Sequence, residues 1–318
     1  MNQKLYFIVN RGARTGRASR IWYRVQQLLC KKQIDYKAYE TKYENHATQL
    51  AQKISGQPVP VVYLVVVGGD GTINEVLNGI TDFEKVRLGV IPTGSGNDFG
   101  RNLWIPKSPR KCFEQILRCI EREQNEKIPI PRLDLGQVIW EGCDKPRIFC
   151  ISAGIGLDAI VCKKALHSRL KKILNFFHMG KLIYLIFTIQ SLFFMDTAEV
   201  CYRLHEGEQG TLHKMIFAAA MNLRAEGGGV PMAPKASPTD GLLSLSLASG
   251  IPKWKTFFCL PLLVAAKHER IRGFSVMNTA SVSLSSDKPM ILHADGEYCG
   301  DVREAEFTCL SGKLQLLR

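Results

Sequence analysis

No two of the ten cysteines in this 318-residue chain are spaced as Cys-x-x-Cys, and their positions fit no zinc-site pattern. That excludes the common zinc modules and leaves scattered thiols suited to a reducing compartment. No apolar run approaches the ~20 residues that a bilayer span requires. The nearest, "LIYLIFTIQSLFFM" at 182–195, has fourteen uncharged residues. A secretory leader is not expected either, because the apolar stretch at 5–9 is short and Arg11 and Arg14 follow it. Internal repeats and low-complexity segments are absent. Acidic residues are absent between 159 and 195.

What is present is ordinary for a globular chain: 46% hydrophobic and 22% charged residues, and a length suited to about two domains. The net charge of +13 is unevenly placed. Residues 1–60 carry eleven Lys/Arg against three Asp/Glu, residues 159–195 carry six against none, and residues 251–273 carry five against Glu269. Such patches suit nucleic acid, nucleotide phosphates or an anionic membrane, and composition does not choose among them.

Along the first 130 residues short apolar runs alternate with helical spacing. Strands are expected at 4–9, 34–40, 59–67 and 87–91. Helices are expected from Ile21, Val25, Leu28 and Leu29, and over 47–54. The β-branched run ending at Val67 suits a parallel strand covered on both faces. This is α/β alternation. From about Asp134 the pattern becomes many short strands, with helical stretches at about 158–195 and 252–270. "GLLSLSLAS" alternates leucine with serine, as a half-exposed strand does. The expected fold is an N-terminal α/β domain, 1–133, followed by a β-rich domain with helices, 134–318, whose last residues return to the first. The basic "KKALHSRLKK" at 163–172 beside the 182–195 run is consistent with a buried helix or with a lipid-facing one.

Three motifs carry chemistry. "GGDGT", Gly68 to Thr72, ends the buried run with a glycine turn. Thr72 and Glu75 have capping-box spacing, so a helix is expected to start at Thr72 with free N–H groups facing the loop. The stretch is neither a Walker A loop nor a Gly-x-Gly-x-x-Gly turn. "PTGSGNDF", Pro92 to Phe99, repeats the arrangement, with Ser95 and Asp98 again three apart. "DGE", Asp295 to Glu297, follows a strand, and Asp-Gly alone is a common hairpin turn.

Together these motifs resemble the diacylglycerol kinase catalytic domain superfamily, which includes sphingosine and ceramide kinases and soluble bacterial lipid kinases. Asn10 with Gly16, Thr41 with His46 and Ala47, "RLDLG" at 132–136, "AGIGLDA" at 153–159 and "GGGVPMAPKASPTDGLL" at 227–243 fall in the family's order, so the resemblance covers almost the whole chain. It implies an α/β nucleotide-binding domain and a β-sandwich-like domain with ATP in the cleft between them. It also implies Mg²⁺-dependent transfer of the ATP γ-phosphoryl group to a lipid hydroxyl. By motif matching, ATP is met by Asn10, Thr41, Gly68, Gly69, Asp70, Gly71, Thr72, Ile73, Asn74, Glu75, Thr93, Gly94, Ser95 and Asn97. Asp70, Asp98 and Asp134 match a water-linked acidic set holding the catalytic Mg²⁺. Ser237, Asp240 and Leu242 match a second, structural Mg²⁺ site. Glu297 matches the proton acceptor, a role also argued for Asp295. The chain departs from the family at Arg11, where proline is usual, and at Ser95, where threonine is usual. Serine keeps the hydroxyl, and Arg11 adds a cation near the expected phosphates.

The favoured acceptor is diacylglycerol, met at an anionic membrane surface by a cytoplasmic enzyme that docks reversibly through charge. A homodimer remains open. The nearest rival is an NAD kinase, which shares a "GGDGT" loop. A non-catalytic nucleotide- or lipid-binding regulator has no need of a base. No nucleic-acid module is recognisable, and no nucleic-acid partner is expected.

Overall fold

The structure is a computed structural model describing residues 4–12, 17–161, 190–191 and 195–318. The chain divides into two compact units, Met1–Leu133 with Gly312–Arg318, and Asp134–Ser311. The basic 163–172 run, Gly16 and nearly all of the apolar 182–195 run lie outside the described residues, as does most of the helical stretch expected at 158–195.

The first unit is a parallel sheet. Strands β1 (Leu5–Val9), β2 (Tyr36–Glu40), β3 (Val62–Gly68) and β4 (Val86–Pro92) stand in the order β2-β1-β3-β4. Gln315 and Leu316, at the chain's end, add in parallel to Arg87 and Leu88. Every residue of β3 is buried, as its β-branched run requires between two helical layers. Helix α1 (Arg17–Lys31) buries Ile21, Trp22, Val25 and Leu29. They share one core with Phe7, Tyr63 and Val65 of the sheet. Helices α2 (His46–Ser55) and α3 (Asp70–Gly79) pack against each other, with the Thr48 hydroxyl donating to the Glu75 carbonyl at 2.9 Å. Beyond a short helix, α4 (Asp98–Asn102), runs α5 (Pro109–Glu126). Helix α5 was not expected from the sequence, although Phe113, Ile116, Leu117 and Ile120 bury a clean helical stripe in the α1 core.

The second unit is antiparallel. Its strands are β5 (Arg132–Trp140), β6 (Arg147–Phe149), β7 (Ser152–Gly156), β8 (Ala198–Leu204), β9 (Gln209–Met215), β10 (Phe217–Met221), β11 (Leu243–Ala248), β12 (Phe274–Thr279), β13 (Ser281–Ala294) and β14 (Glu297–Leu316), whose tail is the strand that joins the first unit. One path runs β12-β11-β10-β7-β13-β14. Residues 282–286 of β13 pair with β8, and its end, Leu292–Ala294, pairs with β7. Register shifts after Ser285 and Leu292 let this one strand serve both partners. A single long strand thus spans Ser281–Ala294, where the sequence suggests only short ones. Helix α6 (Lys253–Val264) and a 3₁₀ turn (His268–Arg270) occupy the expected 252–270 stretch.

One expectation is overturned here. Strand β11 is buried along its whole length rather than on one face. Its serines are tolerated inside because each hydroxyl is satisfied: Ser244 donates to Asn278 Oδ1 and Ser246 to the Met232 carbonyl, both at 2.8 Å.

Candidate active site

In the order β2-β1-β3-β4 the chain runs outward in both directions from the β1/β3 pair. The C-terminal ends of those two strands flank the crevice where open α/β sheets take ligands. Asn10 follows β1, and Gly69 follows β3. The Asn10 amide donates to Thr72 Oγ1 at 3.0 Å, and its Oδ1 accepts from the Gly12 N–H at 3.0 Å. Asn10 thus ties the two strand ends together across the crevice.

The helix after β3 starts two residues earlier than expected. Gly69 is the N-cap, extended in backbone, with no side-chain cap. Thr72 and Glu75 do not form a capping box, since both are taken by remote partners. Thr72 accepts from Asn10. Glu75 Oε2 accepts from the Ala47 N–H at 3.0 Å and so caps α2. The early start puts the positive end of α3 directly at the C-terminal end of β3.

The second turn packs backbone to backbone against the first. The Thr93 N–H donates to the Gly68 carbonyl at 2.8 Å. A methyl group on Gly94 would stand 2.8 Å from the Gly69 Cα, and one on Gly68 would stand 2.6 Å from the Thr72 Cβ. Gly94 is needed to let the two turns meet at Gly69, and Gly68 to make room for Thr72 of its own turn. Gly94→Ala is expected to lower stability by about 1–3 kcal/mol through overpacking, and to weaken ATP binding because both turns shift. Thermal melts and ATP titration check this. Wild-type values in both would show that the contact is dispensable.

Asp70 is held by this second turn. Its Oδ2 accepts from the Asp98 N–H at 3.0 Å and its Oδ1 from the Phe99 N–H at 3.2 Å, so its carboxylate caps α4. Ser95 is exposed and does not cap α4, whose N-cap is Asn97. Asp98 is buried, and its Oδ1 accepts from Arg101 at 2.8 Å. A methyl group on Gly96 would lie 3.3 Å from Asp70 Oδ2 and 3.5 Å from Asp98 Oδ2, so the two carboxylates flank one point. Thr93 Oγ1 and Asn97 Oδ1 in the same turn are buried with no hydrogen-bond partner. Elsewhere in the unit, the Thr41 N–H donates to the Val9 carbonyl at 3.0 Å, and Arg11 pairs with Glu40 at 2.6 Å rather than standing as a lone cation.

In the second unit Asp134 is buried. Its Oδ2 accepts from the Gly241 N–H at 2.7 Å, and its own N–H donates to the Pro238 carbonyl at 2.7 Å. It braces the loop carrying the other expected metal residues. There Ser237 Oγ meets Thr239 Oγ1 at 3.1 Å, and Asp240 Oδ1 accepts from the Leu242 N–H at 3.1 Å, closing an Asx turn.

Asp295 and Gly296 form the two-residue turn between β13 and β14, both with positive φ (51° and 84°), the type I′ hairpin that Asp-Gly favours. The Asp295 carboxylate is enclosed. It accepts from the N–H groups of Cys150 (2.9 Å), Ile151 (2.7 Å) and Ser152 (3.2 Å). Glu297, half-buried, opens β14 opposite Ala294.

Beneath this hairpin lies a group that the sequence did not reveal. Asp158, Glu226 and His293 bring one ligand atom each within 4.8 Å of one another, the one such cluster among the described residues. His293 Nε2 meets Asp158 Oδ2 at 2.9 Å, and the Gly296 N–H points at its Nδ1 from 3.3 Å. Glu226 accepts from the Ser152 hydroxyl. Burial opposes the imidazolium, but the carboxylates of Asp158, Glu226 and Asp295 outweigh it and push His293 up to about 9. The three residues lie far apart in sequence. The pairing of His293 with Gly154, between β13 and β7, brings His293 beside Asp158, which follows β7. A concavity of about 920 Å³ elsewhere in this unit, lined by Trp140, Tyr202 and Leu284, contains none of the motif residues.

Two glycine-bearing strand-to-helix turns packed at a sheet's switch point suit a phosphate-bearing ligand. The comparisons agree. Residues 4–126 match the model of the diacylglycerol kinase catalytic domain, and residues 151–318 match that of the YegS C-terminal NAD kinase beta sandwich-like domain. The chain belongs to the diacylglycerol kinase-like lipid kinases, phosphotransferases with an alcohol acceptor. It is 30% identical over 300 residues to "Putative lipid kinase YtlR" of Bacillus subtilis (strain 168), covering 93% of each chain. It is 29% identical over 240 residues to a diacylglycerol kinase of the same organism, covering 74% of this chain and 71% of that one. In fold it is similar to the crystal structure of "a putative diacylglycerol kinase from Bacillus anthracis str. Sterne", with a TM-score of 0.72 at 20% identity over 99% and 96% of the two chains.

Proposed function

We propose that the protein transfers the γ-phosphoryl group of Mg-ATP to the hydroxyl of diacylglycerol, giving phosphatidic acid and ADP. The observation that carries this reading is the pair of glycine turns packed at the β1/β3 switch point, with α3 starting directly after β3 and with Thr93 Oγ1 and Asn97 Oδ1 buried and unpartnered. A polyphosphate with its ribose would supply the acceptors and donors that these groups lack.

In the reaction the acceptor oxygen forms a bond to the γ-phosphorus, the bond from that phosphorus to the bridging oxygen breaks, and ADP leaves. Glu297 takes the acceptor's proton. Asp295, whose oxygens are occupied by three backbone N–H groups, holds the hairpin that presents Glu297. Asp70 and Asp98, with Asp134, would hold Mg²⁺ through water. Carboxylate oxygens flanking one point suit a hard cation that keeps several waters. Bound Mg²⁺ supplies neutralisation of phosphate charge. The loop of Ser237, Asp240 and Leu242 likewise offers oxygen donors for a structural Mg²⁺. The enzyme is read as cytoplasmic, meeting its acceptor at an anionic membrane surface.

The deciding experiment supplies γ-labelled ATP and Mg²⁺ with a membrane lipid extract, and NAD as a parallel acceptor. Label is expected in phosphatidic acid, lost on chelation. The second matched domain is named for its likeness to NAD kinase, so the parallel arm is essential. Label in NAD and none in lipid would overturn the assignment.

A further inference from the structure

Helix α6 is apolar on both sides. Its inner side is anchored: Thr256 and Cys259 are buried, and Leu260 and Leu263 pack on a core containing Phe217, Met232, Ala248 and Ile251. Its outer side repeats the helical spacing with Trp254, Phe257, Phe258, Pro261 and Leu262, all exposed. Trp254 is 62% exposed, Phe258 66% and Phe257 43%. A helix apolar all round belongs in a core or in lipid, yet this one has a core on one side only. At about 1.5 Å per residue it is far too short to cross a bilayer, and among the described residues no helix is long and apolar enough to do so.

The charge along this stretch is predominantly positive. Residues 251–273 contain Lys253, Lys255, Lys267, Arg270 and Arg272, and their one acid, Glu269, is paired with Lys235 at 3.0 Å. The Lys255 ammonium lies 5.3 Å from the centre of the Trp254 ring. A tryptophan beside a lysine, with cations at both ends of an apolar stripe, matches the boundary between headgroups and acyl chains.

We infer that α6 is a membrane-docking element, lying in the plane of an anionic bilayer with Trp254, Phe257, Phe258 and Leu262 among the acyl chains and the flanking cations at the headgroups. The inference deepens the lipid-kinase reading and rests on it for the identity of the surface. It differs from docking by charge alone, because it assigns the contact to one helix and requires apolar insertion.

The test measures co-sedimentation of the full chain with phosphatidylglycerol–phosphatidylcholine vesicles for wild type, Phe258→Asp and Trp254→Phe. Thermal melts and turnover on dispersed short-chain diacylglycerol, with no bilayer present, accompany it. Phe258→Asp is expected to bind vesicles about tenfold or more weakly, with its melting midpoint and short-chain turnover unchanged. Vesicles with brominated acyl chains should quench wild-type fluorescence, and Trp254→Phe should lose most of that quenching. Wild-type vesicle binding by Phe258→Asp, or equal quenching of wild type and Trp254→Phe, would overturn the inference. So would a wild-type dimer that Phe258→Asp dissociates while vesicle binding stays intact, since the stripe would then face a second copy. Absence of turnover on any diacylglycerol, with vesicle binding still dependent on Phe258, would fault the acceptor assignment and leave the docking helix standing.

Discussion

Glu297→Gln is expected to lower kcat by about 10²–10⁴-fold while leaving ATP affinity close to that of wild type. The substitution keeps the side chain's volume and its capacity to hydrogen-bond. It removes the ability to take a proton from the acceptor hydroxyl as the new P–O bond forms. The groups proposed to bind the nucleotide belong to the other compact unit, Met1–Leu133 with Gly312–Arg318. Steady-state kinetics in both substrates, with calorimetric titration of ATP, separates the two quantities. A kcat within threefold of wild type would remove Glu297 from the chemistry. A large rise in the ATP KM with kcat preserved would make it a binding residue instead.

Local patterns in the sequence predicted the elements well where one physical signal dominated. The β-branched run into Gly68 suits a covered strand and forms one, and Asp-Gly, common in hairpin turns, turns one here. The signals failed where a residue's partner lies far along the chain. Thr72 and Glu75 have the spacing of a capping box, but Asn10 and Ala47 take their side chains, and the helix starts at Asp70. Spacing records which local bond is available, not which remote donor competes for it. The serines of β11 alternate like a solvent face, yet the strand is interior because Asn278 and the Met232 carbonyl satisfy their hydroxyls. Helix α5 was different: its stripe of Phe113, Ile116, Leu117 and Ile120 was legible and simply carried no motif to draw attention to it.

The site shows the same division. That Gly68 to Thr72 and Pro92 to Phe99 form two strand-to-helix turns was readable, because glycines and helix-starting residues advertise themselves locally. That the two turns press together at Gly69 and Gly94, with Asp70 reaching across to the amides of Asp98 and Phe99, was not. A carboxylate in a phosphate loop looks misplaced until that bond is seen. By accepting from the amides of Asp98 and Phe99, Asp70 fixes the start of α4 and with it the position of the Asp98 carboxylate. The cluster of Asp158, Glu226 and His293 was least legible of all, since the three are far apart in sequence: the β7–β13 pairing brings His293 beside Asp158, and Glu226 joins them beside the Ser152 hydroxyl.

Asp295→Asn should behave differently from Glu297→Gln, and the difference decides which of the two neighbouring carboxylates is the base. Asp295 accepts from three successive backbone N–H groups, Cys150 to Ser152, just before and at the start of β7. An asparagine can turn only one oxygen toward them, and its amide would present a donor to at least one N–H. A buried donor left without an acceptor costs about 1–3 kcal/mol, and more where the lost partner was charged. The melting midpoint should therefore fall by several degrees. Turnover should fall with it, because the hairpin that orients Glu297 loses its tether, and the KM for the acceptor should rise. Glu297→Gln, an isosteric change at a half-buried position, should shift the midpoint far less. If Asp295→Asn instead melts with wild type while its kcat falls as far as that of Glu297→Gln, the three amides are not what Asp295 is for. The proton would then be shared between the two carboxylates, and the pH profile of kcat, not the melting curve, would become the quantity that apportions it.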